Sequence, residues 1–297
     1  MKKWLVSLIL WLPVYAHAAL TVFACEPEWA ELVHELGGGN VKVYTATTAL
    51  QDPHRIEARP SLIAQMRRAD LVVCTGAELE IGWLPVLLRE AGNAAVQPGL
   101  PGYFEAAQFV PLLDKPTRLD RADGDIHASG NPHIHTDPRN ILRVSAVLAA
   151  RLAEVDPANA AAYRSRGQDF AARWNAAMTR WQTRAAPLKG VPVVVQHASF
   201  LYLLNWLEMR TVATLEPKPG VEPSVGHLSR VATQLQATPA RMVLRTAYQS
   251  PRPADWLAQR AGIPALALPY TVGGNERASD LFGLFDDTLD QLLKAAQ

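Results

Sequence analysis

Beyond its N-terminal stretch the sequence has no apolar run long enough to cross a bilayer, only two cysteines, and no excess of either charge, with 29 basic against 28 acidic side chains in 297 residues. Each shortage excludes something. Without a later apolar run the rest of the chain is expected to be soluble. With balanced charge nothing asks for nucleic acid or an anionic membrane surface. Two cysteines without a second close pair do not make a thiolate zinc ribbon. No HExxH and no serine or cysteine nucleophile motif occurs, and there is no low-complexity tract or short repeat.

What is present begins with the leader. "MKK" is basic, "WLVSLILWLPVY" is apolar but short, and "AHA" offers small residues for cleavage after Ala18. Residues 1–18 are therefore expected to be a Sec signal peptide, which places the mature protein in the periplasm, where a disulfide is permitted. No cysteine follows the cleavage site, so no lipid anchor is expected there. Loss of Lys2 and Lys3 leaves the mature chain near neutral.

The mature chain alternates strand and helix signals. "LTVFAC", "VKVYTATT" and "DLVVC" are apolar or β-branched runs, separated by the helical patterns "EPEWAELVHELGGG" and "RPSLIAQMRRA", with "WLPVLLREAG" following. From Pro138 the sequence turns helical for almost fifty residues, broken at Asp156-Pro157, and after Pro187 the alternation resumes. The expected fold is α/β: two lobes with parallel sheets flanked by helices, bridged by a long rigid helix. Residues 19–137 form the first lobe, 138–186 the helical strut and 187–297 the second lobe. Cys25 and Cys74 both end strand-like runs, so adjacent parallel strands would bring them together as a disulfide; the alternative is two separate buried thiols.

Three histidines fall where such a fold binds ligands. His54 lies in the loop after "VKVYTATT", His197 directly follows "VPVVVQ", and His133 lies in "GNPHIHTDP" at the lobe junction. In parallel sheets ligands collect at the carboxyl ends of strands, and in two-lobed proteins between the lobes. Each histidine alone reads more readily as a hydrogen-bonded surface residue. Their joint placement points to a metal, because neutral imidazoles with one oxygen ligand suit tetrahedral Zn²⁺.

The segments "QDPH", "PHIHTDP", "VVVQHASF" and "LEPKPGVEPS" together resemble the metal-binding solute-binding proteins of bacterial ABC importers, in their zinc-type, ZnuA-like branch. "GDIHASGNPHIHTDP", "LEPKPGVEPSVGHL" and "LPYTVGG" resemble more narrowly the AztC-like zinc-binding members. The resemblance runs in order through the mature chain. It implies one metal ion between the lobes, with His54, His133 and His197 as ligands. Manganese-type relatives usually carry a carboxylate where His197 stands, so histidine there favours zinc. Many relatives have an Asp after the last strand as fourth ligand, but Thr271 stands at that point here. Asp280 is the expected replacement, with Glu276 or water as alternatives.

His127 and His135 fit either polar loop residues or auxiliary ligands that capture an ion before it reaches the cleft. The glycine-rich "DGDIHASG" around His127 is expected to be mobile. The implied partner is an ABC importer permease, with a periplasmic zinc metallochaperone as a further candidate and a monomer as the expected state. A manganese receptor of the same fold is the nearest alternative. A secreted zinc hydrolase would need a general base beside a metal-bound water, and no catalytic residue is assigned.

Overall fold

The structure, a computed structural model, describes residues 18–118 and 124–297. The expected leader lies outside the described residues except for Ala18, as does part of the loop preceding His127.

Among the described residues, eight short strands make two parallel sheets. Leu20–Ala24 (β1), Val41–Thr45 (β2), Leu71–Cys74 (β3) and Tyr103–Glu105 (β4) lie in the order β2-β1-β3-β4. Pro192–Val195 (β5), Arg210–Thr214 (β6), Met242–Thr246 (β7) and Ala265–Leu268 (β8) repeat that plan as β6-β5-β7-β8. The central strands are apolar on both faces, and all of β3 is buried, because helices cover both sides of a parallel sheet. β4 was not anticipated. It is three residues long and joins only the edge of its sheet, beside β3.

The connecting helices are Pro27–Gly37 (α1), Pro60–Met66 (α2), Leu84–Ala91 (α3), Pro138–Val155 (α4), Ala160–Ala185 (α5), Leu201–Trp206 (α6), Val225–Ala237 (α7), Arg252–Ala261 (α8) and Leu281–Ala296 (α9). Their starts follow local chemistry. Asp137 accepts from the Arg139 N–H and Pro138 fills the first position of α4, while Ser224 caps α7 through the His227 N–H.

The helical stretch from Pro138 is two helices packed on each other rather than one rod, folded back at Asp156-Pro157. α5 is the bridge. Its 26 residues span about 39 Å, and it packs on α1 of the first lobe and α9 of the second. Tyr163, Phe170, Trp174 and Trp181 form its buried stripe. Trp174 donates to the Pro138 carbonyl (2.8 Å) and Trp181 to Asp286 at the start of α9 (2.9 Å). Residues of β1, β3, α5, β5 and β7 belong to one continuous apolar core, so the lobes are held together by buried side chains as well as by the chain.

Cys25 and Cys74 follow β1 and end β3, which are neighbours, and form a disulfide with their Cα atoms 4.8 Å apart. Among the described residues no helix is long and apolar enough to cross a membrane.

Candidate metal centre

The carboxyl ends of the strands in both sheets face one cleft. After β2 the chain enters a loop fixed by Asp52, whose Oδ1 accepts from both the backbone N–H (3.1 Å) and Nδ1 (2.7 Å) of His54. Trp83 secures the same loop by donating to the Pro53 carbonyl at 2.8 Å. His197 leaves β5 in extended conformation, and its Nδ1 donates to Glu216 Oε2 at 2.7 Å. Glu216 follows β6 and also accepts from the Gly220 N–H at 2.8 Å. His133 comes from the loop before α4; its Nδ1 lies 2.7 Å from the hydroxyl of Tyr270, just beyond β8. Asn131 steadies that loop from both sides, accepting from the His133 N–H and donating to the Ala198 carbonyl.

With each Nδ1 engaged outward, the Nε2 atoms turn inward. One nitrogen from each of His54, His133 and His197 lies within 4.8 Å of the others. His133 Nε2 and His197 Nε2 are 3.3 Å apart. Two nitrogens bound to zinc at about 2.0–2.1 Å and a tetrahedral angle stand about 3.3 Å apart, so this spacing fits such an ion without rearrangement. His54 Nε2 is buried and has no hydrogen-bond partner among the described residues. A buried imidazole nitrogen left unpaired among its neighbours is what a metal ligand awaiting its ion looks like.

Electrostatics keep one of these rings ready. Burial, and then the neighbouring His197, His54 and His127, holds His133 well below the usual imidazole range. A neutral ring is the form that binds metal. Asp52 and Glu216 stand behind the imidazoles rather than beside the metal position. They orient the rings, as carboxylates behind zinc-bound histidines do.

His127 lies beside this group, although its nitrogen is not among those within 4.8 Å of one another. Its ring centroid is 5.3 Å from that of His54, and its Nε2 is buried without a partner among the described residues. Burial first, and then His54, pushes its pKa down to about 4. The segment carrying it is anchored to both lobes. The Asp125 N–H donates to the Pro219 carbonyl (2.9 Å), and Ser129 donates twice to Glu78. Glycines permit the approach: a Cβ on Gly124 would lie 2.2 Å from the Pro219 carbonyl oxygen, and one on Gly220 2.1 Å from Asp125 Oδ2.

Two expectations need correction. His135 is fully buried, not poised to capture an ion. Its Nε2 donates to the Tyr270 carbonyl at 2.9 Å, and its Nδ1 faces Glu28 Oε1 at 3.0 Å in an ion-pair contact that falls short of hydrogen-bond alignment. Burial alone would raise the Glu28 carboxyl, but His135, with Thr271 and backbone donors, brings it below its ordinary value. Thr271 thus serves Glu28, donating to its Oε2 at 2.5 Å. Asp280, in turn, is not brought to the imidazoles. It caps α9 by accepting from the Gly283 N–H at 2.7 Å, and its charge is felt by Glu31 on α1. Glu276 is exposed.

The outward partners Asp52, Glu216 and Tyr270 carried no assigned role in the sequence. The first lies two positions before His54 in "QDPH", as an aspartate that turns back on its own chain does, and Glu216 lies within a quoted motif. Tyr270 likewise lies within a quoted motif, "LPYTVGG".

The family model described as zinc-uptake complex component A, periplasmic, matches residues 22–295. The high-affinity zinc uptake system protein ZnuA of Yersinia pestis is 24% identical over 200 residues, covering 62% of this chain and 61% of that protein. The manganese ABC transporter substrate-binding lipoprotein PsaA of Streptococcus anginosus is 20% identical over 289 residues, covering 91% of this chain and 90% of its own. A crystal structure of ZnuA superposes with a TM-score of 0.79 at 21% identity, covering 94% of this chain and all of that one.

Proposed function

Because the chain belongs to the zinc-uptake component A family, whose members are extracytoplasmic metal-binding receptors of ABC importers and not enzymes, we propose that its cargo is Zn²⁺. The ion is bound by the Nε2 atoms of His54, His133 and His197, with His127 as the fourth ligand, and is delivered to a membrane permease. The mature protein works in the periplasm after removal of its leader.

One observation carries the choice of metal: the groups facing the ion position are imidazole nitrogens, and the nearest carboxylates, Asp52 and Glu216, are turned to the back of the rings. Nitrogen donors favour zinc over manganese, which prefers oxygen and sits lowest in the affinity order of the divalent series. The manganese receptors among the relatives keep the alternative specific, and the narrower AztC-like resemblance of the His127 segment speaks for zinc. Protein stripped of metal and dialysed against equimolar Zn²⁺ and Mn²⁺ should retain one zinc per chain and negligible manganese. Retention of manganese at comparable occupancy would overturn the assignment.

A further inference from the structure

Beside His54 and His197 opens a cavity of about 170 Å³ whose walls carry Asp52, Asp125, Glu216, Glu222 and Gln196. Asp52 spends Oδ1 on His54, and Glu216 spends Oε2 on His197 and Gly220, which leaves Asp52 Oδ2 and Glu216 Oε1 for the cavity. Arg55 lies at 3.5 Å from Asp125 and also donates to the Gly220 carbonyl, so these two opposite charges offset each other at the mouth. Among the described residues, Asp52, Glu216 and Glu222 form no ion pair with an arginine or lysine.

A second observation points to an occupant. Gln196 is 3% exposed; its amide donates to the Ser250 carbonyl at 3.2 Å, but its Oε1 has no partner among the described residues. A buried carbonyl oxygen without a donor is disfavoured unless something brings it one. Meanwhile, among the described residues, no three of these carboxylates place oxygens within 4.8 Å of one another. They cannot form an inner cage around a bare ion. They can hold an ion that keeps its waters, whose O–H groups donate to the carboxylates, and a small turn of the Gln196 side chain would bring its sealed Oε1 within their reach.

We infer that this cavity is an outer-sphere site for a hydrated divalent cation, from which the ion passes to His54 and His197 as imidazole nitrogens replace its waters. The inference rests on the reading of the cleft as a metal site and adds the route by which the ion enters. Because an antechamber lies on the path in both directions, disturbing it slows loading and release together and leaves the equilibrium nearly unchanged.

Hexaamminecobalt(III) tests this directly, because it does not shed its ammines and so can occupy an outer-sphere site but not the histidines. At constant ionic strength it should slow stopped-flow zinc loading of the full mature protein in a saturable way. Glu222→Gln should lower the loading and release rates each about threefold to tenfold, keep the dissociation constant within about twofold, and blunt the effect of the cobalt complex. Gln196→Met should act in the same direction. Loading unaffected by the cobalt complex, or a Glu222→Gln variant whose loading and release rates both match the parent's, would overturn the antechamber. Stoichiometric zinc binding in the same samples would show that the metal site itself still stands, whereas its loss in the parent protein would overturn that earlier reading instead.

Discussion

Replacing His127 by alanine separates the two candidates for the fourth ligand. Its Nε2 is buried and unpartnered, with its ring 5.3 Å from that of His54, whereas Asp280 is engaged as the cap of α9. A four-ligand zinc site of the structural kind is worth about 10–16 kcal/mol, or roughly 3 kcal/mol per ligand, which is about two decades of affinity. Water would take the vacated position, and the segment from Gly124 to Gly130 would no longer have its histidine ordered, so part of that loss returns. The expected weakening for His127→Ala is about tenfold to a hundredfold, read by competition with a chelator of known zinc affinity at neutral pH. Asp280→Ala should leave zinc affinity within about twofold and instead lower stability by about 1 kcal/mol, the usual cost of a lost helix cap. Unchanged affinity in His127→Ala together with weakened binding in Asp280→Ala would refute the reasoning from burial and partners.

Glu216→Gln should weaken zinc about tenfold to a hundredfold with the fold intact, because the residue orients His197 without touching the metal; the same chelator competition reads it. His135→Ala should cost about 3–5 kcal/mol in denaturant unfolding, since it leaves the buried Glu28 carboxylate without its ionic partner. Glu26 and Glu80 are buried together beside Thr75; burial chiefly, with their mutual charge, raises Glu26 well above the usual range, and burial lifts Glu80 to about 7. A carboxyl raised in the folded state holds its proton there and loses it in the unfolded chain. Its contribution is therefore complete below about pH 4.5 and is lost as pH rises to about 7. Glu80→Gln should flatten the dependence of unfolding free energy on pH across that window; an unchanged slope would contradict the assignment.

The fold was largely legible because buried parallel strands declare themselves as apolar runs. The runs around Val22, Val73, Val194 and Val243 could be read without partners. Tyr103–Glu105 could not, since three residues at an edge carry too little pattern. His54, His133 and His197 were legible for a topological reason: histidines near strand ends and a lobe junction are directed to one cleft. The roles of the other histidines were not, because they depend on distant residues. The glycines and serine near His127 suggest mobility locally, yet Glu78 and Pro219 anchor that segment from elsewhere in the chain. His135 looks exposed in a polar loop, but Glu28, more than a hundred positions earlier, receives it in the core. The resemblance to relatives with an aspartate after the last strand directed attention to Asp280, while Thr271 at that point had been committed to Glu28.

X-ray absorption at the zinc edge of protein loaded with one equivalent of Zn²⁺ tests the central claim most directly. The account predicts four nitrogen neighbours at about 2.0–2.1 Å with the multiple-scattering pattern of imidazole rings, and loss of one ring from that pattern in His127→Ala. A shell containing sulfur, or fewer than three imidazoles, would contradict a histidine site between the lobes.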